Sequence, residues 1–238
     1  MDAIDDLLFT RAPTARRPLL GLTVLVVEDS RFASEAVRLM CLRSGARIRR
    51  ADCLENARRH LAVYRPTVIL VDVGLPDGSG LALITALAQA TPKIEVILGM
   101  SGDTTAKADV MAAGADGFID KPMDSLTAFQ SAILAHLPVN RQPPAPRLVQ
   151  DERISPDLIA YRDDLTHVAQ LLKDGDEGST LDYVTQFLGG VARIARDHDL
   201  DAAVTNLAQI RHKGRDPLQG VATLSQIVQA RIAAGGPV

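Results

Sequence analysis

The apolar residues of this chain follow two different periods. Between residues 22 and 139, short continuous apolar runs alternate with stretches where apolar residues return every third or fourth position. The runs at 23–27 and 68–71 predict strands buried on both faces, 95–100 and 117–120 read as further strands, and 46–51 as a short strand with Arg on one side. Helices are predicted over 32–43, where Val37, Met40 and Cys41 share a face, and over 53–64, 81–90, 104–113 and 125–137. Ser44-Gly45, Pro66 and Gly114 punctuate these elements, and 74–80 is a turn-rich loop. Five strands alternating with five helices predict an α/β fold, a doubly wound parallel sheet with helices on both faces, because parallel strands need crossover connections.

The ends of the chain read differently. Residues 1–20 form an N-terminal extension, with Ile4, Leu7, Leu8 and Phe9 set among Asp residues before an irregular Arg- and Pro-containing stretch. It reads as a loosely ordered tail or as a docking or dimer-forming helix. A Pro-rich linker covers 140–154 and is expected to be extended. Over 155–238 the strand signal vanishes. Ser155-Pro156, Ser179, Asp197 and Asp216-Pro217 mark four helix starts. Stripes such as Leu165, Val168, Leu172 and Val221, Leu224, Val228 predict an antiparallel all-α four-helix bundle.

Composition narrows the possibilities. The chain has 238 residues and is 47% hydrophobic, but only 3% aromatic and without Trp, so its cores must be aliphatic. A net charge of −3 argues against nucleic acid as a partner, since nucleic-acid footprints are usually strongly basic. Cys41 and Cys53 lack metal-ligand spacing and read as small buried hydrophobes. No apolar run is long enough to span a bilayer, and the acidic N-terminus does not read as a secretory signal, so a soluble cytoplasmic protein without membrane contact is expected.

In an open parallel sheet, function gathers at the carboxyl ends of the strands. There lie Glu28-Asp29, Asp72, Ser101 and Asp120-Lys121-Pro122. Each alone would pass for a solvated strand-end residue. Together they offer three crowded carboxylates, which invite a hard divalent cation such as Mg²⁺, with a hydroxyl and an ammonium to hold the oxygens of a transferred group.

The segments LTVLVVEDS (22–30), VILVDVGLPDGSG (68–80), VILGMSG (96–102) and GFIDKP (117–122) give residues 21–139 a resemblance to the receiver domain of bacterial two-component response regulators, with a flavodoxin-like fold. The resemblance covers about half the chain. It implies that Asp72 is the phosphoacceptor and that Glu28, Asp29, Asp72 and the Gly74 backbone carbonyl hold Mg²⁺. It implies that Ser101 is the switch hydroxyl, that Phe118 stands at the switch aromatic position, and that Lys121 pairs with the phosphoryl oxygens and precedes a cis bond to Pro122. Ser101 replaces the commoner Thr. Gly74 and Asp103 stand where family members tune dephosphorylation, and point to a short-lived acyl phosphate. The implied partners are a sensor histidine kinase or histidine phosphotransfer protein and a downstream protein target, with a homodimer as a further option. The chain is expected to act as a switch and not as an enzyme beyond its own phosphorylation and autodephosphorylation.

The bundle shows no recognition helix, wing or one-sided basic cluster, so its expected role is protein binding or dimerisation; a DNA-binding transcription regulator with an unrecognised helical output is the alternative. Lys213-Gly214 and Gly220 fit the spacing of a histidine phosphotransfer bundle, but Ile210 stands where the phosphorylated His would be, and His212 falls two residues late. Such a bundle would be degenerate. His167 and His198 read as surface residues. The bundle could pack over the 104–137 face or stand apart on its linker.

Overall fold

The computed structural model describes residues 12–144, 152–174 and 178–237. Ile4, Leu7, Leu8 and Phe9 lie outside them.

Five strands form one parallel sheet: β1 (Thr23–Val27), β2 (Arg47–Ala51), β3 (Val68–Asp72), β6 (Val96–Ser101) and β7 (Gly117–Asp120), in the order β2-β1-β3-β6-β7. Between them run α1 (Arg31–Ser44), α2 (Leu54–Val63), α3 (Gly80–Gln89), α4 (Ala106–Ala112) and α5 (Leu126–Leu134). The turn-rich loop contains a small antiparallel hairpin of β4 (Gly74–Leu75) and β5 (Gly78–Ser79), which the sequence pattern did not reveal. All five residues of β3 are buried, as its continuous apolar run requires. One core joins Val24, Val26, Leu70 and Leu98 to Val37, Met40, Phe129 and Ile133. The other joins Leu25, Ile69 and Ile97 to Ala57, Ile84 and Val110.

Local chemistry sets the helix ends near the strand tips. The Ser30 hydroxyl accepts from Ala33 N at 2.9 Å and caps α1, and Gly45, at φ 86°, ends it in the left-handed conformation that glycine adopts without strain. The Asp77 carboxylate, carried by the hairpin, accepts from Leu54 N and Glu55 N at 2.8 and 2.9 Å and so starts α2. Gly80 begins α3 where a Cβ would lie 1.9 Å from the backbone oxygen of Asp72, so no other residue fits without moving that strand end.

The receiver-like unit is longer than its sequence boundaries. Leu19 is fully buried in the first core, with its amide donating to Ser44 O at 3.0 Å. The segment expected to be an extended Pro-rich linker is hydrogen-bonded to the α/β unit at its far end. Arg153 bridges Ser125, Ile154 N donates to Asp124 O at 2.8 Å, and Ile154 enters the core. Residues 145–151 lie outside the described residues.

Four helices follow: α6 (Leu158–Asp174), α7 (Gly178–Ala195), α8 (His198–His212) and α9 (Leu218–Ala234). Each packs on the next and α9 returns to α6, around Leu165, Val168, Val184, Leu188, Leu207 and Leu224. A buried polar hub ties this ring together. Asp197 caps α8 through Leu200 N at 3.1 Å, and accepts from Tyr161 Oη at 2.8 Å and Arg231 Nε at 2.7 Å. The Asp197 carboxyl is buried, which alone would raise its pKa, but the hydrogen bonds from Arg231, Leu200 and Tyr161 together outweigh burial and hold it below the ordinary value.

The bundle neither stands apart nor covers the 104–137 face as its main seat. α6 and α7 pack on α1, and α7 reaches β4. Phe32 of α1 is buried in the bundle core, edge-on to Tyr161 at 5.5 Å. No described helix is long and apolar enough to cross a membrane.

Candidate functional site

The strand ends converge as the sequence predicts. Glu28 and Asp29 follow β1, Asp72 ends β3, Ser101 ends β6, and Lys121 follows β7. Glu28, Asp72 and Ser101 are buried, and Asp29 is half-buried. The Lys121 ammonium lies 2.8 Å from Asp72 Oδ2 and 2.5 Å from Glu28 Oε2, and the Lys121-Pro122 bond is cis. Ser101 Oγ accepts from Asp103 N at 3.1 Å. Phe118 is half-buried against the second core.

Crowding and burial set the charge states. Burial pushes Glu28 well above the usual carboxylate range, although Lys121 pulls it down. Burial likewise pushes Asp29 up to about 6, against a hydrogen bond from the Tyr183 hydroxyl. For Lys121, burial disfavours the ammonium, but Asp72 and Glu28 outweigh it and hold its pKa above the ordinary value.

One oxygen from each of Glu28, Asp29 and Asp72 lies within 4.8 Å of the others, the one such metal-ligating group among the described residues. Three hard carboxylates beside one ammonium leave a negative excess that suits a divalent cation with oxygen ligands. The donor set therefore fits Mg²⁺, held by these carboxylates, with Gly74 lining the same cavity. Since Asp29 carries a proton below about pH 6 that a metal must displace, Mg²⁺ affinity is expected to fall as pH drops through that value. Calorimetric titration on both sides of it tests this; unchanged affinity would show that the metal displaces no proton from Asp29 in this range.

The sequence reading missed what the bundle brings here. Tyr183 Oη donates to Asp29 Oδ2 at 2.7 Å. Arg193 Nη1 donates to the Gly102 carbonyl at 2.9 Å. Gln186 stands against Gly74, where a Cβ would come 2.0 Å from its Nε2, so this flank of the site is covered by a side chain of α7. Asp103 is exposed and engaged locally. Its carboxylate accepts from Thr105 N at 2.8 Å and Thr105 Oγ1 at 2.7 Å, which holds its pKa down. His212 is exposed and lines the rim of the shared cavity, whereas His167 and His198 lie at the surface as expected.

The sequence profile of the response regulator receiver domain matches residues 24–132. This stretch is a receiver domain. It is 31% identical over 99 residues to the KDP operon transcriptional regulatory protein KdpE of Escherichia coli, covering 42% of this chain and 44% of that protein. It is 30% identical over 102 residues to the virulence transcriptional regulatory protein PhoP of Salmonella typhimurium, covering 42% and 46%. The receiver match thus spans less than half the length of these regulators. Among solved structures, the receiver domain of a signal transduction histidine kinase from Syntrophus aciditrophicus is 25% identical with a TM-score of 0.45, covering 54% of this chain and 99% of that one. The chemotaxis protein CheY4 of Vibrio cholerae is 25% identical with a TM-score of 0.45, covering 49% and 98%. Both curated relatives are named as transcriptional regulators, so the expectation that nucleic acid is a poor partner finds no support in them.

Proposed function

We propose that this chain is a response regulator of a two-component phosphorelay that accepts a phosphoryl group on Asp72 from a phosphohistidine donor. The observation that carries this reading is the Lys121 ammonium set between Asp72 and Glu28, with the Asp29 carboxylate and Ser101 hydroxyl around the same strand end. An Asp72 oxygen forms a bond to phosphorus as the donor's P–N bond breaks, and the imidazole leaves and takes up a proton. Bound Mg²⁺ supplies positive charge to the phosphoryl oxygens. Lys121 holds the same oxygens from the β7 side, and Ser101 offers its hydroxyl to the product. The acyl phosphate then biases the 104–137 face, Phe118 included, toward a second arrangement that the helical region reads. The chain's own chemistry is limited to accepting and losing this group.

The test is to incubate the full chain with Mg²⁺ and a small phosphoryl donor and to map the label. One alkali-labile label on Asp72, lost in Asp72→Asn, is expected. Label that persists in Asp72→Asn would overturn the assignment.

A second reading, a DNA-binding regulator with a helical output, is favoured by the names of the two curated relatives. Salt-dependent DNA binding by the full chain would establish it, and its absence at low salt would exclude it.

A further inference from the structure

The face that α7 lays on the receiver carries Tyr183, Gln186, Gly190 and Arg193, spaced three, four and three residues apart on one side of the helix. Its three side chains each meet a different loop around Asp72: Tyr183 the loop after β1, Gln186 the one after β3, and Arg193 the one after β6. In the middle stands Gly190, where a Cβ would meet nothing within 4 Å. The helix therefore roofs the site but leaves a hollow. The cavity beneath it, of about 780 Å³, holds Asp72, Lys121 and Ser101 on its floor. That volume is typical of small-molecule pockets.

The roof is fastened outside the cavity. Asp164 of α6 is 3% exposed. Its carboxylate accepts from Ser30 Oγ at 2.7 Å, Arg31 N at 2.9 Å and Phe32 N at 3.0 Å, at the start of α1. Lifting the bundle breaks these charge-assisted bonds and returns Phe32 to water, so the lifted state is a minor one.

We propose that the docked bundle selects the phosphoryl donor: small acyl phosphates or phosphoramidates reach Asp72 through the cavity, whereas a donor carried on a protein reaches it only after α7 lifts. This rests on the reading of Asp72 as phosphoacceptor. A protein donor must bring its phosphorus to Asp72 over the loops that Tyr183, Gln186 and Arg193 already cover. Its apparent rate is then scaled by the fraction of lifted molecules. With phosphoimidazole, free or carried, the P–N bond breaks as the bond to an Asp72 oxygen forms and the leaving imidazole is protonated; with a small acyl phosphate the P–O bond breaks instead and a carboxylate leaves.

The experiment uses the full chain, Asp164→Lys and Asp72→Asn, each with phosphoimidazole and with phosphoimidazole coupled to a protein-sized dextran. Asp164→Lys places a cation at the positive end of α1 and should lift the roof. Wild type should label readily with the free donor but at least about tenfold more slowly with the conjugate, and Asp164→Lys should remove that difference. If Asp164→Lys does not fold, Phe32→Ala takes its place. Equal discrimination in wild type and lifted variant overturns the proposal. Failure of the free donor to label wild type, or label retained in Asp72→Asn, refutes the Asp72 reading instead and the proposal with it.

Discussion

Lys121→Met should slow phosphoryl transfer to Asp72 by roughly 10²–10³-fold, the usual consequence of losing one fixed charge donor to a transferring group. The ammonium is only 11% exposed and contacts two carboxylates, so no water or neighbouring cation replaces it at the same place. The same substitution should lower stability in Mg²⁺-free solution by about 3–5 kcal/mol, because it strands buried carboxylates without their counterion. The deficit should depend on pH in a defined direction. Burial raises Glu28 and Lys121 partly offsets it, so without Lys121 the Glu28 pKa moves further up. A carboxyl raised in the folded state favours folding at low pH and loses that contribution as pH rises through its folded value. The variant should therefore approach wild type in acid and fall away toward neutrality, with Mg²⁺ restoring part of the loss. Thermal melts across pH, with and without Mg²⁺, measure this. A variant that labels within a few-fold of wild type, and gains no more from Mg²⁺, would remove Lys121 from the site.

The largest purely structural effect should come from Asp197→Ala. One carboxylate there serves Tyr161, Leu200 and two nitrogens of Arg231, and both Asp197 and Arg231 are buried. Removing it leaves a buried phenol without its acceptor, leaves the buried guanidinium only the exposed Asp199 carboxylate at 3.1 Å, and takes the cap from α8. The expected loss is about 3–5 kcal/mol from the stranded charge, with roughly 1 kcal/mol more from the cap. Arg231→Met should cost less, because Asp197 keeps Tyr161 and Leu200 as donors. In wild type the hub's contribution should hold at neutral pH and fade only below the ordinary carboxylate range, since Asp197 is depressed in the folded state. Helix content followed against denaturant tests the ranking. Equal losses in the two variants would contradict Asp197 as the hub.

The receiver fold was legible because its determinants are local. Apolar runs such as 68–71 specify doubly buried strands, and a parallel sheet places the residues after those runs on one edge, so Glu28, Asp29, Asp72, Ser101 and Lys121 followed from pattern and resemblance alike. The bundle's seat was not legible because its determinants are pairwise and remote. Tyr183 and Asp29 are 154 residues apart, and on a helical pattern Tyr183, Gln186 and Arg193 look like the solvated side of an amphipathic helix. One hint was present. Gly189-Gly190 in a helix interior costs about 1 kcal/mol per glycine relative to Ala, and Gly190 proves to stand over the hollow, where a Cβ would meet nothing within 4 Å. Phe32 gave another, as an aromatic that the Val37, Met40, Cys41 face of α1 did not absorb.

The sheet has two edges, β2 and β7. β2 is terminal in the strand order, and Arg47, Arg49 and Arg50 along it are exposed. Two such edges brought together would set guanidinium against guanidinium, which makes edge-to-edge extension of the sheet unfavourable and guards the chain against ribbon-like aggregation. On this side, copies of this chain that associate are steered away from β2 and toward helical surfaces.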